Sequence, residues 1–148
     1  MHMGKLTKFL LPLLLLALPG RTLPAATGEG FAVIVNAANP VAALPAAEVA
    51  RYFLHKALQW PNGTRVAAVD LVEDAPARDA FTRAIHQKSV SAIKAYWQRM
   101  IFSGRDVPPP EKSIPEALAF VRGDLGGIGY VAAATPLGDG VKALKVTQ

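Results

Sequence analysis

The stretch Val66 to Phe81 limits most sharply what this chain can fold into. It reads Val-Ala-Ala-Val-Asp-Leu-Val-Glu-Asp-Ala-Pro-Ala-Arg-Asp-Ala-Phe. An apolar run, Val66 to Val72, breaks at Glu73-Asp74, and an amphipathic pattern begins at Pro76. A short β-branched run followed by a 3.6-residue period predicts strand, loop and helix in that order. The N-terminus of such a helix carries backbone N–H groups without intrahelical partners, so it can face an anion.

The remaining pattern repeats this alternation. Phe31 to Val35 is a short apolar run suited to a buried strand, and Asn36-Ala-Ala-Asn39-Pro40 ends it with turn chemistry. Leu44-Pro45 opens a helix whose packing face is Val49, Tyr52, Phe53 and Lys56. Trp60 to Thr64 is a turn around Asn62-Gly63, and the Val66–Leu71 strand follows. Helix Pro76 to Gln87 presents Ala77, Phe81, Ala84 and Ile85 on one face. Another helix starts at the N-cap Ser89, with Val90, Ile93, Trp97, Met100 and Ile101 as its stripe, and ends at Ser103-Gly104. Pro108-Pro109-Pro110 is a stiff spacer. Ser113 and Glu116 form a capping box for a helix that turns Ile114, Leu118 and Val121 to the core and closes at Gly123. Gly126 to Val131 is a glycine-bearing strand, 135–140 turns the chain, and Val141 to Val146 is the last strand. The order β-α-β-α-α-α-β-β predicts an α/β domain, a mixed β-sheet flanked by helices.

Not all of the 148 residues belong to that domain. Lys5 and Lys8 precede an almost wholly apolar block, Phe9 to Leu18, and Leu23-Pro24-Ala25-Ala26 ends in small residues. This is the secretory signal pattern, and ten apolar residues are too few to span a bilayer that needs roughly 20. The expected division is 1–26 signal peptide and 27–148 domain, with cleavage after Ala26 and no stable membrane insertion afterwards. Removing Lys5, Lys8 and Arg21 leaves 13 basic against 11 acidic residues, so the net charge falls from +5 to +2. No Lys/Arg run remains, which argues against nucleic-acid binding. There is no cysteine, so an exported chain must rest on its core alone, and thiol chemistry is excluded. A bacterial periplasm is the natural compartment.

Catalytic patterns are missing. His55 and His86 have no carboxylate or second histidine at ligand spacing, and each reads as a surface or half-buried residue. No serine sits in a nucleophile elbow. Glu73, Asp74 and Asp79 are the one cluster of acids. At a helix start they complement its dipole, or they line a polar mouth for a ligand or metal; the first reading is favoured because a hard-cation site needs oxygens from more than one segment. The chain is not expected to be an enzyme, and no cofactor or metal is expected.

Five motifs in order resemble bacterial phosphate-binding proteins, periplasmic components of ABC transporters with the type 2 periplasmic-binding-protein fold. The first is Val35-Asn36-x-x-Asn39-Pro40, followed by Tyr52-Phe53-Leu54 and Trp60-Pro61-Asn62-Gly63. Arg78-Asp79-Ala80-Phe81 resembles the helix after their phosphate loop. Gly127-Ile128-Gly129-Tyr130-Val131 and Val141-Lys142-Ala143-Leu144 resemble two late strands. The resemblance spans about Phe31 to Val146 and implies one lobe of that fold, with Ala77, Arg78 and Asp79 as the ligand-binding positions. It implies a small phosphate-like anion as ligand and an envelope transporter or sensor as partner. The family's Ser-Gly-Thr turn is replaced here by Ala75-Pro76-Ala77, which lacks two hydroxyls and, at Pro76, one N–H. Two roles follow: a lobe that binds a small oxyanion for transport or sensing, or a ligand-free lobe that serves as an interaction or regulatory module. Arg78 either pairs with an anion or is an exposed first-turn arginine.

Overall fold

The computed structural model describes residues 30–148. The expected signal peptide, 1–26, and its exit lie outside them. The core is a four-stranded mixed sheet of β1 (Ala32–Asn36), β3 (Ala67–Ala68), β6 (Gly127–Val131) and β7 (Val141–Ala143), in the order β3-β6-β1-β7. β1 is antiparallel to both β6 and β7, while β3 runs parallel to β6. Every residue of β1 and β6 is buried, as their unbroken apolar runs predict for strands covered on both faces.

The side chains of β6 alternate, so they show what covers each face. A Cβ at Gly127 would fall 2.9 Å from the Val121 Cα, so glycine lets the helix α4 (Ile114–Gly123) settle there; one at Gly129 would fall 2.8 Å from Val69 Cγ1 and 3.5 Å from Val121 Cγ2, so it also admits the neighbouring strand segment. Tyr130 points the other way and stacks on Phe81, ring centroids 3.8 Å apart and 3° from parallel. Phe53 and Phe31 join the same cluster, each against Phe81. These aromatics fix α1 (Ala46–Phe53) and α2 (Pro76–Phe81) against that face. The α/β architecture with helices on both sides of the sheet is therefore the one expected.

The motif residues of the first turn are structural. Asn36, 7% exposed, donates to the Val121 and Arg122 carbonyls at 3.1 Å each, tying β1 to the end of α4. Asn39 accepts from the Val41 N–H. Trp60 is buried, donates to the Gly126 carbonyl at 3.0 Å and packs edge-on to Tyr52. The capping box of Ser113 and Glu116 is formed as expected.

Several details depart from expectation. β2 (Ala43–Pro45) precedes α1 and pairs in parallel with β8 (Lys145–Thr147), so Leu44 lies in a strand and Pro45 is the N-cap. α1 stops at Phe53, and His55 at φ +54° turns the chain, so Lys56 leaves the helix face assigned to it. The strand around Val69 is two pieces, β3 and β4 (Asp70–Leu71), and the last strand divides at Leu144 into β7 and β8. The helix from Pro76 continues after Phe81 as a π-helix, Thr82–His86. The wider turn delays the helical phase, so Thr82 is buried and Ala84 is exposed, the reverse of an α-helical stripe. On α3 (Val90–Phe102) only Ile93 and Trp97 are buried, and Ile101 lies outward. On α4, Ala117 and Val121 are buried, with Ile114 and Leu118 half-covered beside them.

Candidate functional site

The expected strand–loop–helix junction is present. β4 ends at Leu71, Val72 to Ala75 form the loop, and α2 begins at Pro76 with no side-chain cap. Its surroundings differ from a bare helix terminus. The three-proline spacer does more than span a gap: the Pro110 carbonyl accepts from the Asp70 N–H at 2.9 Å, and β5 (Glu111–Lys112) then pairs in parallel with β4. This short pairing brings Glu111 to Arg78.

Arg78 is buried at 4% exposure, so it is not an exposed first-turn arginine. One terminal nitrogen donates at 2.6 Å both to the Leu71 carbonyl and to Glu111 Oε1; the other lies 3.5 Å from Asp70 Oδ2. The Tyr130 hydroxyl donates to Asp70 Oδ1. A continuous line therefore runs from the stacked aromatics through Tyr130 and Asp70 to Arg78 and Glu111. Burial lifts the Asp70 carboxyl above its ordinary range, with Arg78 and the Tyr130 hydroxyl opposing it. Burial also works against charge on Arg78, but Asp70 and Glu111 outweigh it and hold the guanidinium protonated. Burial and the neighbouring carboxylate push the Tyr130 phenol far up.

The other two expected positions are placed differently. Ala77 is buried beneath the junction, and Asp79 pairs with Arg83 at 2.8 Å on the outer surface. Glu73, Asp74 and Asp79 do not form one acidic group: Glu73 binds Lys94 through both oxygens, at 2.9 and 2.8 Å. Lys94 in turn holds the Glu73 carboxyl below its ordinary range. Arg78, Asp70, Glu111 and Lys94 meet at a mouth of about 110 Å³ that Trp97, Gln98, Ile101 and Pro108 complete. The mouth thus has two cations, two carboxylates and one amide, a mixed set that can accept as well as donate hydrogen bonds. Asp70, Lys94, Glu111 and Tyr130 were not identified from sequence. Asp70 left a trace there, an acid inside an otherwise apolar strand, whereas the two-residue β5 gives Glu111 no pattern to read.

The histidines are settled separately. His55 Nδ1 lies 2.9 Å from Asp106 Oδ2, a carboxylate 51 residues away, and the ring packs edge-on to Trp97. His86 is half-buried against Phe81 with Nδ1 unpartnered, and burial, Lys56 and Lys88 lower its pKa to about 4. Among the described residues no three His, Asp or Glu are placed to hold a metal, and no helix is long and apolar enough to cross a membrane.

No protein-family model matches the chain, and no curated protein sequence does. Solved structures do. An ABC-type phosphate transport receptor from Vibrio cholerae superposes with a TM-score of 0.62 at 16% identity, over 80% of this chain and 46% of its own. A protein assigned as a phosphate ABC transporter substrate-binding protein, with bound phosphate, from Clostridium perfringens gives 0.54 at 21% identity, covering 80% and 45%. A candidate phosphate-binding protein from Planctomyces limnophilus gives 0.59 at 18%, covering 80% and 42%. This chain thus spans less than half the length of each, and its fold corresponds to one lobe of such binding proteins.

Proposed function

We propose that the chain is a phosphate-type solute-binding-like lobe of the cell envelope, exported by its N-terminal segment, that takes one small protonated oxyanion at the Arg78 mouth. The observation that carries this reading is the mixed charge set there, on a fold shared with receptors and binding proteins for phosphate. Arg78 and Lys94 attract an anion. Asp70 and Glu111 repel one unless it brings its own proton to donate. Phosphate carries a P–OH at neutral pH and sulfate does not, so the acids favour phosphate. Because Arg78 already shares its charge with two carboxylates, binding is weak, with Kd somewhat below about 1 mM, roughly −4 kcal/mol. Titration calorimetry of the purified protein tests this. Phosphate should bind, sulfate should not, and Lys94→Met should weaken binding at unchanged stability; absence of heat with phosphate at high protein concentration would sink the reading.

A second reading has its own observation. Phe102 is 89% exposed and Ile101, on the rim of the mouth, is 49% exposed. Two neighbouring apolar side chains at the end of α3 suit a protein partner better than water. On that reading Arg78 is a structural strut, and the lobe docks an envelope transporter or sensor through α3. A Phe102→Ser variant that loses an envelope partner while retaining phosphate heat would separate the two.

A further inference from the structure

The opposite flank of α3 borders a second cleft, of about 300 Å³, lined by Leu54, Lys56, Lys88, Ile93, Tyr96 and Arg99. Lys56 enters because α1 ends early, and its ammonium lies 5.7 Å from the centre of the Tyr96 ring. The space exists because Ala92 and Ala95 stand on this flank, where longer side chains would fill it.

The charges here have no internal counterpart. Arg51, Arg78, Arg83 and Lys94 each have a carboxylate within 4 Å, but Lys56, Lys88 and Arg99 pair with none among the described residues. No acid lines the cleft. The first turn of α3 carries no acidic residue either, so the positive end of its dipole adds to Lys88. Like charges around one concavity repel each other and concentrate anions there. His86 responds to the same field, since Lys56 and Lys88 help burial to keep it neutral. The walls between the cations are apolar: Leu54, Ile93 and the Tyr96 ring. A bare ion would leave them wet.

We infer that the cleft framed by Lys56, Lys88 and Arg99 is a second binding site, taking a small organic anion with an apolar body and a carboxylate or phosphate head. Its volume stands at the lower end of small-molecule sites, which begin at roughly 300 Å³. The cations lining the cleft attract the head, and the body lies along Tyr96 and the two alanines. This site is separate from the Arg78 mouth and does not depend on it.

Backbone amide NMR of the purified protein provides the test, with phenyl phosphate, benzoate, benzyl alcohol, a short glutamate peptide and inorganic phosphate as probes. Phenyl phosphate and benzoate should shift Ala92, Ala95 and Tyr96 saturably, at least about tenfold more tightly than neutral benzyl alcohol, a difference of about 1.4 kcal/mol. Lys56→Met and Arg99→Met should each weaken them by about tenfold. Ala95→Leu, which fills the cleft without touching its charge, should abolish binding while the rest of the spectrum stays in place. Four results would overturn the site: no saturable shift up to about 10 mM, equal affinity for benzyl alcohol, tighter binding of the peptide, or binding that survives both Ala95→Leu and the charge variants. Inorganic phosphate is read at Leu71 and Gln98, so failure at the Arg78 mouth is distinguishable from failure here.

Discussion

The two flanks of α3 carry similar cations in opposite circumstances. On the Lys94–Gln98 flank every positive charge has a carboxylate: Glu73 for Lys94, Asp70 and Glu111 for Arg78. On the Ala92–Arg99 flank Lys56, Lys88 and Arg99 line a cleft with no acid on its walls. The first arrangement uses charge to hold β4, β5 and α2 together, and leaves a mixed mouth. The second adds little to the fold and leaves a positive field for something else to neutralise. An anion at the Arg78 mouth must therefore compete with carboxylates already in place, whereas one at the second cleft meets none.

The two flanks should differ most in stability at Arg78. Arg78→Met leaves Asp70 buried without its cation, which should cost about 3 kcal/mol in urea denaturation. Lys56→Met, on the other flank, should leave the midpoint unchanged. Equal effects of the two would erase the distinction. Tyr130→Phe removes the hydroxyl from the buried Asp70 carboxylate and should cost about 2 kcal/mol; the same substitution at Tyr96, whose hydroxyl meets the Leu54 carbonyl at 3.4 Å, should cost less.

A pH scan probes the basic flank. The folded chain lowers His86 from 6.5 to about 4, so as pH falls the unfolded state takes up the proton first. The stability this contributes is complete above pH 6.5 and is lost as pH falls toward 4. Between pH 7 and 5 the loss should be about 2 kcal/mol, and His86→Gln should flatten that slope. Lys56→Met should move the His86 ring titration upward, by NMR. Asp70 works in the other sense: its pKa is raised, so its contribution is present at low pH and declines as pH rises through the folded value. The smallest effect is expected for Lys94→Met, which breaks an exposed ion pair and should not shift the denaturation midpoint measurably.

Much of the fold was legible because long periodic segments state their own buried faces. Val33 to Val35 and Ile128 to Val131 needed no partner information to be read as buried strands, nor Ser113 to Glu116 as a helix start. Short pairings were invisible. β5 is two residues of Glu-Lys after three prolines, and only its register beside Asp70–Leu71 makes it a strand. The site suffered most, since Arg78 was visible and both its carboxylates lay elsewhere, one in a strand and one 33 residues downstream. The π-helix was equally hidden: an extra residue per turn leaves no compositional mark, yet it exchanged Thr82 for Ala84 at the core.

The position of β1 has a consequence for the order of assembly. Both its neighbours come from the end of the chain: Val35 pairs with Ile128 and Ile34 with Ala143, 93 and 109 residues away. While a ribosome is still adding residues before Gly127, the most apolar strand has nothing to pair with. The sheet can close only once Gly127–Val131 and Val141–Ala143 are available, so its pairings are non-local and follow the helices. Until then β1 is an exposed, sticky edge, and a truncation that removed β7 and β8 would leave one side of it permanently so.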